Sequence, residues 1–444
     1  MEGMHERRDM TPLALFWDQS LVWGLVFWET LQKLAIPFTL LTGKDIAEGR
    51  LAHYRVLVVP GGWASHKMKA LGKQGREEID RFILRGGSYL GFCGGAGLAL
   101  SSPPSLSLVP LERMPLSERL PSASGGVLVQ GDSDHPAWRG LPEQLPLSIW
   151  WPSQFSGALT ASVRPLATYA ATGEDFMVAD LPVSDLTLAA EEGGSTPWDA
   201  LEAAYGINLK PERLLGHPAI IEATRGRGRL ILSYPHMETP EDRWGHALLR
   251  NVLTYLDDKA SDALLPLPAP PPAPGNASPS LPGRGSMESL MRARDAADDL
   301  IRFGERHLLW TWRRPWLLHW KRGIRGLEYG TLAVTLKALV EMGGRIANEA
   351  GAFDPWREEA DRIERNILEF CRLARRLLIE EKLAGLTGTV SKLGSVNKVV
   401  DGLRQQLFGG SMSHGGLSGE LFNAIDTLLL QVLRFLPGNI RMKH

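Results

Sequence analysis

SYLGFCGGAGLAL, residues 88–100, carries one of the chain's two cysteines between glycines, directly after an apolar run. SYLGFC reads as a buried strand, and the small residues after Cys93 open a helix. A strand, a glycine-flanked residue at a tight turn and then a helix make the thiol form of a nucleophile elbow. The turn holds its central residue at a strained backbone angle. Glycines stand two before and two after it because side chains there would strike the neighbouring strand and helix. The start of the helix favours a thiolate at Cys93. Read alone, the five residues also suit a small buried side chain in a glycine-rich turn.

Outward from this stretch, short β-like runs alternate with helical ones. LALFWD is a strand, SLVWGLVFWETLQKLA a helix and PFTLLT a strand. DIAEGRL is a short helix, YRVLVVPGG a buried strand and KALGKQGREEIDRFILRGG an amphipathic helix closed by Gly86 and Gly87. Such alternation predicts βαβ units, hence a mainly parallel sheet with helices on both faces. From about residue 102 the pattern loosens into proline- and serine-rich loops with short β segments. AIIEATRGRGRLILSYPHMET then reads as a hairpin, and DRWGHALLRNVLTYLDD closes the domain as a helix.

LLPLPAPPPAPGNASPSLPGRGS, about residues 264–286, has too much proline and glycine for regular structure and reads as a stiff linker. Three segments follow: a domain over residues 10–258, a proline-rich linker over 259–286 and a separate all-α domain over 287–444. In the last, DPWREEADRIERNILEFCRLARRLLIEEKL has Asp354 as a candidate N-cap and Pro355 at the first helical position. Its apolar residues Trp356, Ile363, Ile367, Phe370, Ala374 and Leu377 form one stripe. Cys371, beside Phe370 with no histidine near, reads as core. HLLWTWRRPWLLHWKRGIRG, residues 307–326, mixes four tryptophans with five cations. It reads either as an interfacial segment or, in preference, as an amphipathic helix broken at Pro315 with buried tryptophans and solvated cations.

Bulk composition excludes several classes. At 444 residues, two domains are expected. A formal net charge of −1 gives no long-range attraction to nucleic acid or anionic lipid. Two cysteines cannot build a disulfide framework, which suits a reducing cytosol. No secretory leader or membrane span is read, so a cytoplasmic protein is expected. No metal-ligand cluster is read, and no cofactor or metal is expected.

A thiol nucleophile needs a base, and the base an orienting partner. Of the first domain's histidines, only His236 ends a strong β run and has a carboxylate two residues on, in YPHME. Positions i and i+2 of an extended segment project to one side. Glu238 can therefore accept from one imidazole nitrogen while the other faces Cys93. In VVPGGW, residues 58–63, the glycine pair frees backbone N–H groups. Those of Gly62 and Gly94 are the candidate oxyanion hole, although taken by itself this motif reads better as a simple loop after a strand. Trp63, His66 and Trp151 are candidate substrate-binding residues, with Trp150 and Phe155 in nearby loops.

VVPGG at 58–62, GFCGG at 91–95 and PHME at 235–238 together resemble the class I glutamine amidotransferase superfamily, over about residues 10–257. Within it, PGGWASHKMKALGKQGREEIDRFILRGGSYLGFCGGAGLA looks closest to the domain at the N-terminus of biotin–protein ligases. The resemblance implies a flavodoxin-like three-layer α/β sandwich, a catalytic Cys93–His236–Glu238 triad and Gly62 as the oxyanion glycine. The chain departs from the family in two ways. No ligase domain follows, since GRGR at 226–229 is more simply a hairpin turn, and no ammonia-consuming synthetase is recognisable. The expectation is a thiol-dependent hydrolase or amidotransferase acting on a small amide or peptide. The helical half would offer a surface for a protein partner or a second copy. The alternative is a catalytically silent scaffold or ligand sensor that keeps the cleft.

Overall fold

Alternate residues of Leu13–Phe16 (β1) face opposite ways: Leu13 and Leu15 enter one hydrophobic core, Ala14 and Phe16 another. In a computed structural model, which describes residues 12–186, 198–263, 281–347, 354–388, 394–410 and 415–436, β1 lies between two parallel neighbours. These are Phe38–Leu41 (β2) and Val56–Val59 (β3). Ser88–Phe92 (β4) follows β3, again in parallel. Strands covered on both faces read as continuous apolar runs, and all of β1, β3 and β4 is buried.

Helix Leu21–Lys33 (α1) covers one face and Ala64–Leu84 (α3) the other; between them in sequence, Gly43–Ala47 (α2) follows β2. Thr42 and Asp45 start α2 with a reciprocal capping box: the Asp45 N–H donates to Thr42 Oγ1 at 3.1 Å and the Thr42 N–H to Asp45 Oδ2 at 2.8 Å. The six-residue helix Gly94–Ala99 (α4) leaves the end of β4. A second long helix, Arg243–Ala263 (α5), lies on the α1 side of the sheet. The result is a flavodoxin-like sandwich of three layers.

The loosely patterned stretch after residue 102 supplies more sheet than its sequence suggests. Ala123–Gly131 (β5), Gln144–Trp150 (β6) and Val163–Thr172 (β7) are full strands. Pro218–Arg225 (β8) and Gly228–Ser233 (β9) form the expected hairpin. In the eleven-stranded sheet the order runs β2-β1-β3-β4-β9-β8-β7-β5, with β6 paired to β5 and two dipeptide strands beyond. Only β9 joins the parallel block, on β4, so the sheet is mixed: β8, β7, β5 and β6 are antiparallel additions.

Most of the proline-rich linker, residues 264–280, lies outside the described residues. Its end does not: Arg284–Arg306 (α6) is already helix. Helices Gly326–Ile346 (α7), Arg357–Leu386 (α8), Lys398–Phe408 (α9) and Gly416–Phe435 (α10) complete a helical region. The stripe from Trp356 to Leu377 is buried. Asp354, however, does not cap its own helix, which begins at Arg357 after Trp356. Its carboxylate accepts from the Trp356 N–H at 3.3 Å and, more closely, from the Gly283 and Ser286 N–H groups at 3.0 and 2.8 Å, satisfying the start of α6.

Residues 307–326 are not a broken amphipathic helix. Trp310–Arg314 (β10) and Leu317–Trp320 (β11) form an antiparallel hairpin. Its Arg313 is not left in solvent but donates to Ser124 Oγ at 2.8 Å and lies over the Trp150 ring at 5.3 Å. Trp320 stacks on Trp151 at 4.6 Å. Tertiary partners across the chain override the helical pattern here. The two regions share one hydrophobic core, and Gln19 to Asn423 and Arg434 to Asp45 add polar ties at 2.9 and 2.6 Å.

Candidate active site

Cys93 caps the short helix α4 at φ 46° and ψ −104°, a conformation that costs a non-glycine residue on the order of 1–3 kcal/mol. Its N–H donates to Ser233 O and its carbonyl accepts from the Gly97 N–H, both at 2.8 Å. These bonds fix the turn between β4, β9 and α4. The surrounding glycines have a steric reason. A Cβ on Gly95 would stand 2.0 Å from Val59 O, and one on Gly94 would stand 1.7 Å from Gly62 O. Gly62 itself has φ 108°. The loops carrying VVPGG and GFCGG are therefore in backbone contact, and among the described residues neither the Gly62 nor the Gly94 N–H has a backbone acceptor.

Beyond β9, the chain runs through Tyr234 and Pro235 to His236. The His236 N–H donates to Ser148 O at 2.8 Å, tying this segment to β6. Imidazole and carboxylate meet as the i, i+2 spacing implies: His236 Nδ1 is 2.7 Å from Glu238 Oε1. Both residues are buried, and Thr30 Oγ1 donates to Glu238 O at 2.9 Å. Nε2 makes no hydrogen bond of normal length. Burial lowers the His236 pKa, but the Glu238 charge and then Cys93 outweigh it and hold the ring toward imidazolium. Cys93 keeps partial access to solvent while its two candidate partners do not.

Trp23 of α1, which sequence reading passed over, forms a wall of this site. Its ring lies 4.7 Å from that of His236 and, on another side, 5.5 Å from Trp316 at the hairpin turn. Trp316 also meets Trp150 at 5.5 Å, and Trp150 Nε1 donates to Thr239 Oγ1 at 3.3 Å. A tryptophan in α1 looks like core, so no local signal marked it. Trp316 and Trp320 thus pack on tryptophans of the first region, one of which, Trp23, lies against His236.

The remaining candidates are dispersed. Trp63 caps α3 beside Gly62. His66 Nδ1 lies 3.3 Å from Gln19 Oε1, and burial, then Lys69, lowers its pKa. Trp151 is occupied by its stack on Trp320, and Phe155 packs on Tyr234 at 4.4 Å. Cys371 is 4% exposed, and burial pushes its thiol up to about 12. Among the described residues no cluster of His, Cys, Asp and Glu fits a metal ion, and no helix is long and apolar enough to cross a membrane.

Residues 47–102 match the family model described as biotin-protein ligase, N terminal. The match holds both glycine motifs and Cys93 and stops before His236 and Glu238. Among solved structures, a glutamine amidotransferase from Thermotoga maritima is 17% identical, with 56% of this chain and 98% of that one covered at a TM-score of 0.32. A protein assigned as a GMP synthase component from Thermoplasma acidophilum is 15% identical, with 58% and 96% covered at 0.36. A ThuA-like protein from Bacteroides uniformis is 14% identical, with 57% and 95% covered at 0.35. No curated protein matches the chain.

Proposed function

We propose that the chain is a thiol-dependent hydrolase of amide bonds, with Cys93 as nucleophile, His236 as base and acid, and Glu238 as the group that orients the imidazole. The observation that carries this reading is the strained, part-exposed Cys93 beside an imidazole whose Nδ1 is engaged by Glu238 at 2.7 Å and whose Nε2 is unbonded. A glycine would relieve the strain at Cys93, so a side chain there calls for a reason.

In the first step the Cys93 sulfur attacks the amide carbon, with its proton on His236 Nε2. The negative charge moves to the carbonyl oxygen, which the Gly62 and Gly94 N–H groups stabilise. A donor of this kind contributes about 10²–10³ in rate. The C–N bond breaks, His236 gives its proton to the departing amine, and a thioester remains on Cys93. Water then attacks the thioester as His236 takes its proton. The carboxylic acid leaves, and the thiol and imidazole are restored. Glu238 holds the imidazole tautomer throughout.

Intact-mass measurement after treatment with a glutamine-mimicking diazoketone tests this. One adduct per chain is expected, absent in Cys93→Ala and strongly slowed in His236→Ala. Excess glutamine blocking the label would point to glutamine itself. A reagent reaction no faster at Cys93 than at Cys371 would overturn the thiol mechanism.

A further inference from the structure

Lys67, in the first turn of α3, is 0% exposed. Its amine lies inside the protein, donating to Ser20 Oγ at 2.6 Å and to Asp18 O at 3.2 Å, and rests 5.2 Å from the centre of the Phe16 ring. Among the described residues it forms no ion pair, and the Asp18 carboxylate accepts instead from the Gly43 N–H at 2.7 Å. Burial pushes the amine down to about 7. A buried cation without a close counter-charge weakens a fold. No step of the thiol chemistry uses this one.

What the amine holds is a strained turn that packs on the glycine pair. Between β1 and α1 the chain passes through Gln19 at φ 59° and Leu21 at φ 53°, a conformation that side-chain-bearing residues adopt only where their surroundings enforce it. Ser20 Oγ, which receives the amine, itself donates to Phe16 O at 3.0 Å, and Ser20 O receives the Trp23 N–H at 3.1 Å. A Cβ on Gly62 would stand 2.3 Å from Gln19 O and 3.5 Å from Lys67 Cε, and one on Gly61 would stand 2.9 Å from Trp23 Cγ. The Gly62 peptide is therefore packed against Gln19 and against Gly94 at once. These two loops leave β1 and β3, between which the order β2-β1-β3-β4 reverses direction, the point where a doubly wound sheet opens its crevice.

We propose that Lys67 is a positioning residue: by clamping the Asp18–Ser20 turn onto Gly61 and Gly62, it fixes the direction of the Gly62 N–H toward the carbonyl oxygen under attack. The role in catalysis rests on the thiol-hydrolase reading, whereas the clamp stands on its own contacts. An oxyanion donor is effective when it is aimed before the charge develops, and rigidity at this one peptide is what the buried amine supplies.

Two reagents that differ in their need for that donor test the assignment. With p-nitrophenyl acetate the Cys93 sulfur attacks the ester carbon, negative charge passes through the carbonyl oxygen, the ester C–O bond breaks and p-nitrophenolate leaves. Iodoacetamide is attacked at its methylene with loss of iodide, and its carbonyl oxygen takes up no charge. p-Nitrophenolate release, less that of Cys93→Ala, reads the first reaction, and peptide mapping reads the second. Lys67→Met keeps the length of the side chain and removes its donors. It is expected to slow acylation at least about tenfold while alkylation changes by less than about threefold. Ser20→Ala, which removes the 2.6 Å acceptor, is expected to shift the ratio the same way by about threefold and decides the matter should Lys67→Met not fold. Amide hydrogen exchange over residues 58–66 is expected to quicken in both variants. Equal losses with the two reagents, or two unchanged rates, overturn the positioning role, and unchanged exchange overturns the clamp. Quickened exchange in a protein that releases p-nitrophenolate no faster than Cys93→Ala sustains the clamp and overturns the hydrolase.

Discussion

Cys93 and Cys371 are the same side chain in opposite surroundings. Cys93 sits at a strained turn, in partial contact with solvent, beside the His236 imidazole. Cys371 sits mid-helix in α8, its Sγ 3.5 Å from Ala296 O, in a core that raises its pKa to about 12. The region around Cys93 gives up backbone comfort to expose a sulfur to charge, while the region around Cys371 removes charge from one. Thiolate reactivity is a property of the setting, not of the residue. Unfolding is therefore expected to erase the contrast: in the native protein iodoacetamide labels Cys93 at least about 10²-fold faster than Cys371, and in denaturant the two rates converge. Peptide mapping over a time course reads this. Native rates within a few-fold of each other would break the comparison.

Next in size is the steric support of the elbow. Gly94→Ala places a methyl group 1.7 Å from Gly62 O, a backbone atom that no side-chain rotation can move aside. One of the two loops must shift, so the substitution is expected to destabilise the fold by at least about 2 kcal/mol and to remove selective labelling of Cys93. Urea denaturation and mass mapping read the two effects. Gly94→Ala with stability and labelling intact would mean that the two loops are not held as tightly as this packing requires.

The elbow was legible because its chemistry and its sterics demand one residue type at fixed spacing: Gly91, Gly94 and Gly95 announce it. His236 and Glu238 were legible because i, i+2 spacing on an extended segment is itself a geometric statement. The strands β5 to β7 were not, since Gly125, Gly126, Pro146 and Pro165 interrupt their alternation and their pairing comes from distant partners. The tryptophan hairpin misled for a related reason. Trp316 and Trp320 are apolar because they meet Trp23, Trp150 and Trp151 across the chain, not because they line one stripe of a helix.

The seam between the regions gives the smallest and most easily titrated effect. Glu29 of α1 faces α7, where Glu341 lies near it; burial first, and then the Glu341 charge, raises its pKa from 4.5 to about 7. The folded protein therefore holds this proton more tightly than the unfolded chain does. Stability from that preference is present in full below the unfolded pKa and is lost as pH rises through the folded one, between about 4.5 and 7. Glu29→Gln mimics the protonated side chain. It is expected to stabilise the protein by about 2 kcal/mol near pH 8, allowing for partial solvent screening, and to have no effect below about pH 4.5. Denaturation midpoints across that range measure it. A pH-independent gain would assign the effect to packing. A loss at high pH would mean that the seam solvates Glu29 and that the two regions are less firmly joined than their shared core implies.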